Sequence, residues 1–289
     1  MRALAFLVLS MSVAVHAQSG VGVEVDEVID NRFSAGVLTG ALELRVKLTG
    51  TGLENAGGAR VLVSEARDDK GNALSTDRLM DDFMPRDYNM GTLQFSVGSP
   101  ARAAGSVTLK GTVELFVPSR DPDAVVTIDK ALEKLDAPLA HAKLKSAKLS
   151  ITPLSRDGHA ARRKERKLDE SKIAGIRAEG KKRGVPEAEI EMAIEMAKAF
   201  DGMDESLPEG TVILAGTKTD FDRIFRVEIL DGEGKPLDTS SRGTTTRGDD
   251  TVMTFQPSAP VPAGAALELQ ILTAKSILSF PFELKVNLP

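Results

Sequence analysis

The stretch "DDFMPRD", Asp81 to Asp87, places three carboxylates within seven residues of what reads as a loop. Hard oxygen donors at this spacing suit calcium, and paired carboxylates can activate water for hydrolysis. Asp81, Asp82 and Asp87 are therefore the candidate metal-ligating residues. With them comes one reading of the chain, as a calcium-dependent or carboxylate-based hydrolase or an accessory subunit of one. Other routes to chemistry are thin. The absence of cysteine removes thiol nucleophiles and thiolate ligands. Past His16 the only histidines are His141 and His159, both in polar connecting segments. No H-E-x-x-H, G-x-S-x-G or S-x-x-K occurs. No catalytic residue and no cofactor is assigned.

A second acidic stretch, "DDKGNAL" (Asp68 to Leu74), could be half of a calcium loop or a polar turn between strands. A repeat decides between them. "ARVLVSEARDDKGNAL" (59–74) aligns with "RIFRVEILDGEGKPL" (223–237), placing Asp68 over Asp231, Gly71 over Gly234 and Leu74 over Leu237. "LQFSVGSPARAAGSVTLKG" (93–111) aligns with "MTFQPSAPVPAGAALELQI" (253–271), Phe95 over Phe255 and Leu109 over Leu269. Self-similarity on this scale means a duplicated domain. In the second copy Lys235 stands where Asn72 stood, a cation in place of a metal ligand. An EF-hand loop starting at Asp68 would need glutamate where Leu79 lies. The spacing predicts a turn, with Gly71 and Gly234 at positive φ and Asp68 and Asp231 capping amides two residues on.

The apolar period is two. Leu42, Leu44, Val46 and Leu48 alternate with Glu43, Arg45 and Lys47, and Phe280 to Leu288 alternate in the same way. Half-buried antiparallel strands read like this. Opening strands are expected at Val21 to Val25 and at Ala147 to Ile151. The D-x-x-G turns, the strand spacing and the duplication resemble the tandem immunoglobulin-like β-sandwich domains of bacterial exported proteins. That resemblance implies a fold and no activity. The expected class is mainly β: two tandem antiparallel sandwiches, 18–140 and 141–289, with a helical hairpin inserted in the second at about 157–207.

In that insertion Asp169 is a candidate N-cap, Gly180 and Gly184 mark the end of a first helix, and Pro186 opens a second. Ile190, Ala193, Ile194, Ala197 and Phe200 form a stripe at helical spacing. Charge is segregated: ten basic against four acidic residues from Arg162 to Arg183, then seven acidic residues and Lys198 alone from Glu187 to Glu205. Lys181, Lys182, Arg183, Ile190, Ile194 and Phe200 are the candidate interaction residues. The basic arm could meet lipid phosphate on an anionic envelope surface, or the two helices could neutralise each other. The triplet Arg247-Gly248-Asp249 matches the integrin motif, but three-residue matches arise by chance and a turn accounts fully for Gly248.

Composition bounds the rest. Arg2, an apolar run Ala3 to Val15 and Val15-His16-Ala17 read as a secretory signal peptide (1–17) cleaved near Ala17-Gln18, so the expected location is periplasmic or secreted. No later run is apolar and long enough to span a bilayer. Net charge of −5 argues against nucleic acid. The absence of tryptophan, with Tyr88 the only tyrosine, argues against carbohydrate stacking. The leading expectation is a non-enzymatic binding or scaffold protein of the cell envelope. Its partner would be another envelope or extracellular protein.

Overall fold

The computed structural model describes residues 20–31, 40–76, 82–85, 92–166, 169–202 and 207–289, with the backbone alone at 165, 166 and 199–202. The segment 1–17 expected to be a signal peptide, Asp81 and Asp87 lie outside these residues. The chain is mainly β, in antiparallel sheets, and divides into two compact units. One unit runs to Ala124 and resumes at Leu272; the other is Val125–Ile271.

The first unit holds β1 (Gly22–Asn31), β2 (Ala41–Thr49), β3 (Gly58–Asp68), β4 (Met84–Pro85), β5 (Thr92–Gly98) and β6 (Ser106–Phe116). The second begins with β7 (Val125–Ile128), α1 (Ala142–Ala147) and β8 (Thr152–Leu154). Three helices follow: α2 (Arg156–Arg166), α3 (Glu170–Lys182) and α4 (Glu187–Gly202). Then come β9 (Val212–Thr217), α5 (Lys218–Phe221), β10 (Ile224–Leu230), β11 (Thr239–Arg247), β12 (Asp250–Pro257) and β13 (Ala266–Ile271). The last strand, β14 (Ile277–Asn287), returns to the first unit.

In the first unit one sheet is ordered β1-β2-β5 and the other β14-β6-β3-β4. Alternation carries Leu42, Leu44, Val46 and Leu48 inward from β2, where they share a core with Val61, Phe95, Leu109, Val113 and Val286. In the second unit the sheets are β10-β13-β7 and β11-β12-β9-β8. Ile151, Leu214, Val227, Phe255, Leu267 and Leu269 form the core there. Each core draws on both of its sheets, as a β-sandwich requires.

The strand after β6 and the strand after β13 cross over. β7 follows β6 in the chain yet pairs with β13, while β14 follows β13 yet pairs with β6. The alternation in 280–288 was expected to close the second copy; it closes the first unit. Length explains the choice. All eleven positions of β14, Ile277 to Asn287, face Phe116 to Ser106, whereas β7 covers only Leu267 to Gln270. The reverse assignment would leave most of one edge of β6 unpaired, the edge opposite β3, with its backbone groups to satisfy elsewhere. The two connections are tied together: Val117 N–H donates to the Ser276 carbonyl at 2.7 Å and Thr273 Oγ1 to Asp121 Oδ2 at 2.6 Å.

The expected opening strand at Ala147 to Ile151 is also different. Ala142–Ala147 is helical, capped by His141 Nδ1, which accepts from Lys143 N–H, and terminated by Lys148 at φ 54°. Leu149 and Ile151 are buried as an alternating pattern would have them, but the strand proper starts at Thr152.

Candidate functional site

The helical segment between β8 and β9 holds all six candidate interaction residues. Asp169 caps α3, its Oδ1 accepting from Lys172 N–H at 2.8 Å. Gly184 at φ 72° ends the helix, and Pro186 precedes α4. Ile173 of α3 is buried against Ile190 and Ile194 of α4, with Val185 packed beside them. Gly180 sits inside α3 because a Cβ there would lie 2.6 Å from Ile190 Cδ1, so glycine lets the helices close. Ile190 and Ile194 are therefore spent within the pair. The side chain of Phe200 lies outside the described residues.

The segregated charges meet across this pair. The Arg177 guanidinium donates to both Glu191 oxygens, at 2.6 and 2.9 Å, and Lys181 Nζ lies 3.2 Å from Glu187. The Arg177 hydrogen bonds hold the Glu191 carboxyl below its usual value. Arg183 pairs with Glu179 on its own helix at 2.9 Å, and Lys182 is exposed. Exposed pairs of this kind add about 0–1 kcal/mol each, yet they favour the observed register of α3 on α4. With Lys181 and Arg183 engaged inside the chain, the geometry favours mutual neutralisation over a free basic arm.

Outside this small core three large apolar side chains of the pair remain in solvent among its charges. Ile176 of α3 and Met192 and Met196 of α4 are exposed by 37, 62 and 54%. Met192 and Met196 stand two residues beyond Ile190 and Ile194, so they fall on the opposite side of α4 from α3. Helix α2, unmarked by any apolar stripe, starts where Ser155 Oγ accepts from Gly158 N–H at 2.9 Å. Arg162 of α2 makes a forked hydrogen-bonded ion pair with Asp250 on β12.

The Asp68 turn accounts for its acids without a metal. Asp68 is 5% exposed. Its Oδ1 accepts from Lys70 N–H, Asn72 N–H and Asn72 Nδ2, and its Oδ2 from Asn72 Nδ2 and, at 3.0 Å, from Ala101 N–H. Donors on every side suit an anion and repel a cation. Asp231 takes Glu233 N–H and Lys235 N–H at 2.8 and 2.9 Å in the same arrangement. Gly71 and Gly234 have φ of 87° and 79°. Of the acidic loop, Asp82 is described and is exposed. Among the described residues no group of three or more metal-ligating side chains comes together. The Arg247-Gly248-Asp249 triplet forms the tip of the β11–β12 hairpin, with Gly248 at φ 61°.

The Asn72 side chain, helped by the Ala101, Asn72 and Lys70 amides, holds the Asp68 carboxyl down to about 2 despite burial. A carboxylate held below its unfolded value stabilises the fold above the ordinary range, and that contribution disappears as pH falls from about 4 toward 2. Asp68→Asn should flatten this acid limb of the first unit's stability curve. Asp68→Ala should lower its melting temperature at neutral pH more than Asp231→Ala lowers that of the second unit. Asp231 serves only its own turn, while Asp68 also holds Ala101. Equal shifts would refute the difference in role.

No protein-family model, curated protein or solved structure matches this chain. No helix among the described residues is long and apolar enough to cross a membrane.

Proposed function

We propose that this is an exported, non-enzymatic binding or scaffold protein of the bacterial cell envelope, whose α3–α4 pair is presented to another protein. One observation carries the reading. The pair has its own core in Ile173, Ile190 and Ile194, separate from the cores of the sheets, and still turns Ile176, Met192 and Met196 to solvent. Methionine faces adapt to partners of irregular shape, and a rigid sheet scaffold is a usual mount for such elements. Export rests on the leader-like pattern of residues 1–17.

Immunoglobulin-like architecture is part of the proposal. A β1-β2-β5 sheet over β14-β6-β3-β4, and β11-β12-β9-β8 over β10-β13-β7, are orders consistent with it once the crossed strands are assigned to the unit they complete. On this view the segment from α2 to α4 is an insertion between β8 and β9, the second and third strands of the second sandwich. The test is capture from envelope extract with the mature chain, Gln18 to Pro289, beside one in which Ser155 to Pro208 is replaced by a short Gly/Ser linker. A partner retained by the first and lost by the second supports the proposal. The same captured set for both would end it.

A further inference from the structure

β11 is an edge strand unlike the other edges of this protein. Among the described residues it pairs on one side only, with β12, and Ser240 to Thr246 are all exposed, so both of its faces are open. It contains no proline and no acidic residue; its charges are Arg242 and Arg247 alone, and its register shift lies at one end, between Thr239 and Ser241, leaving Ser241 to Thr246 regular. Natural sheets blunt such edges, because a row of unpaired N–H and C=O groups is a template for another strand. The remaining edges are blunted here. β1 carries Glu24, Asp26, Glu27 and Asp30 and a register shift. β14 carries Pro281, Glu283 and Lys285, and β10 carries Arg226 and Glu228. The Gly98 end of β5 is bonded to the Ser75 carbonyl. β4, β7 and β8 have two, four and three residues.

We propose that β11 is a self-association edge, pairing antiparallel with β11 of a second copy about a two-fold axis at Gly243. This goes beyond the reading of α3–α4 and does not depend on it. Three features favour a second copy. Arg247 and Asp250 close a two-residue hairpin loop, so alternation turns the N–H and C=O of Arg242, Thr244 and Thr246 to the open side. Placing Gly243 on the axis then sets Arg242 against Thr244 of the other copy. Open residues face open residues, and the regular stretch Ser241 to Thr245 overlaps its mate, the register shift of β11 on β12 lying outside it between Thr239 and Ser241. At the axis, where a non-hydrogen-bonded pair brings side chains closest, the residue is glycine. Finally, beyond Arg242 against Thr244 the pairs are Ser241 against Thr245 and Ser240 against Thr246, hydroxyls that hydrogen-bond across strands, with Thr239 against Arg247, so no like charges stand directly opposite. A self-complementary edge yields a closed dimer.

Sedimentation equilibrium of the mature chain from micromolar to submillimolar concentration tests the proposal. A reversible monomer–dimer equilibrium is expected. Because Thr244 is exposed, substitution there leaves the monomer intact while changing the pair twice per dimer. Thr244→Glu faces Arg242 and should tighten the dimer by roughly 2- to 30-fold, and Thr244→Lys should weaken it by a similar factor. Combining Thr244→Lys with Arg242→Glu restores opposite charges and should recover the dimer. A monomer at every concentration would overturn the proposal. So would equal association of the Glu and Lys variants, or open-ended oligomers, which would instead indicate β11 of one copy on acidic β1 of the next.

Discussion

A chain ending at Ile271 is expected to lose the fold of its first unit while the second stays folded. Its missing residues include no strand of the second unit, whose elements all lie within Val125–Ile271. What it loses is β14, and with it the partner of β6 from Ser106 to Phe116. Val286 is buried, and Phe280, Phe282 and Leu284 pack on the same core. Burial of a large apolar side chain contributes about 1.5–3 kcal/mol, and partial burial proportionately less, so the loss exceeds roughly 5 kcal/mol. Domain stabilities are about 5–15 kcal/mol in total, and the exposed β6 edge deepens the deficit. The β7 strand cannot substitute, having four residues where eleven are needed. By the same logic residues 18–140 alone should not fold. Residues 18–124 joined by a short Gly/Ser linker to 272–289 should fold, with the Asp121–Thr273 hydrogen bond re-formed. Residues 125–271 should fold by themselves. Amide spectra and thermal melts of these chains decide the matter: if 18–271 keeps the dispersed signals of both units, the crossed strands are not what holds the first unit together.

A boundary at 140 follows from local patterning, which is silent on strand pairing. Alternating apolar residues announce a strand and its buried face, and they did so at Leu42 to Leu48 and at Phe280 to Leu288. They carry no information on which neighbour a strand will take. The choice of β6 over β13 depends on comparing the lengths of four strands scattered over the chain. Local chemistry was more legible. The Asp68 and Asp231 turns, the Asp169 cap and the Ile190–Ile194 stripe follow from residues within a turn or two of each other. Ala147 to Ile151 mimicked a strand because Leu149 and Ile151 really are buried, but Lys148 in the left-handed region breaks the run. The helix Arg156–Arg166 has no apolar stripe to announce it and is held at its far side by Asp250, nearly ninety residues away. β11 has no apolar residue at all, so no period could mark it; its register on β12 alone makes it a strand.

Replacing Ile194 by aspartate is the second change with a large expected effect, and it separates the architecture of the helical pair from its proposed role. Helices of 13 and 16 residues are marginal in isolation. Their persistence here rests on the contact of Ile194, fully buried, with Ile173 and Ile190. Truncating such a side chain costs about 2–5 kcal/mol, and a buried carboxylate without a partner costs more. The extra-sheet helical signal should therefore be lost, with new protease cleavage between Glu170 and Gly202. The sheets of the second unit should melt as before, since their core shares no residue with this cluster. Met192→Asp with Met196→Asp makes the contrast. Those side chains face solvent, so helicity and melting should hold while any partner captured through α4 is released. If Ile194→Asp unfolds the sheets together with the helices, the pair belongs to the second unit's main core. The exposed methionines would then be incidental to a structural element, because a surface that cannot melt alone cannot have been added to a finished sandwich as a separate binding module.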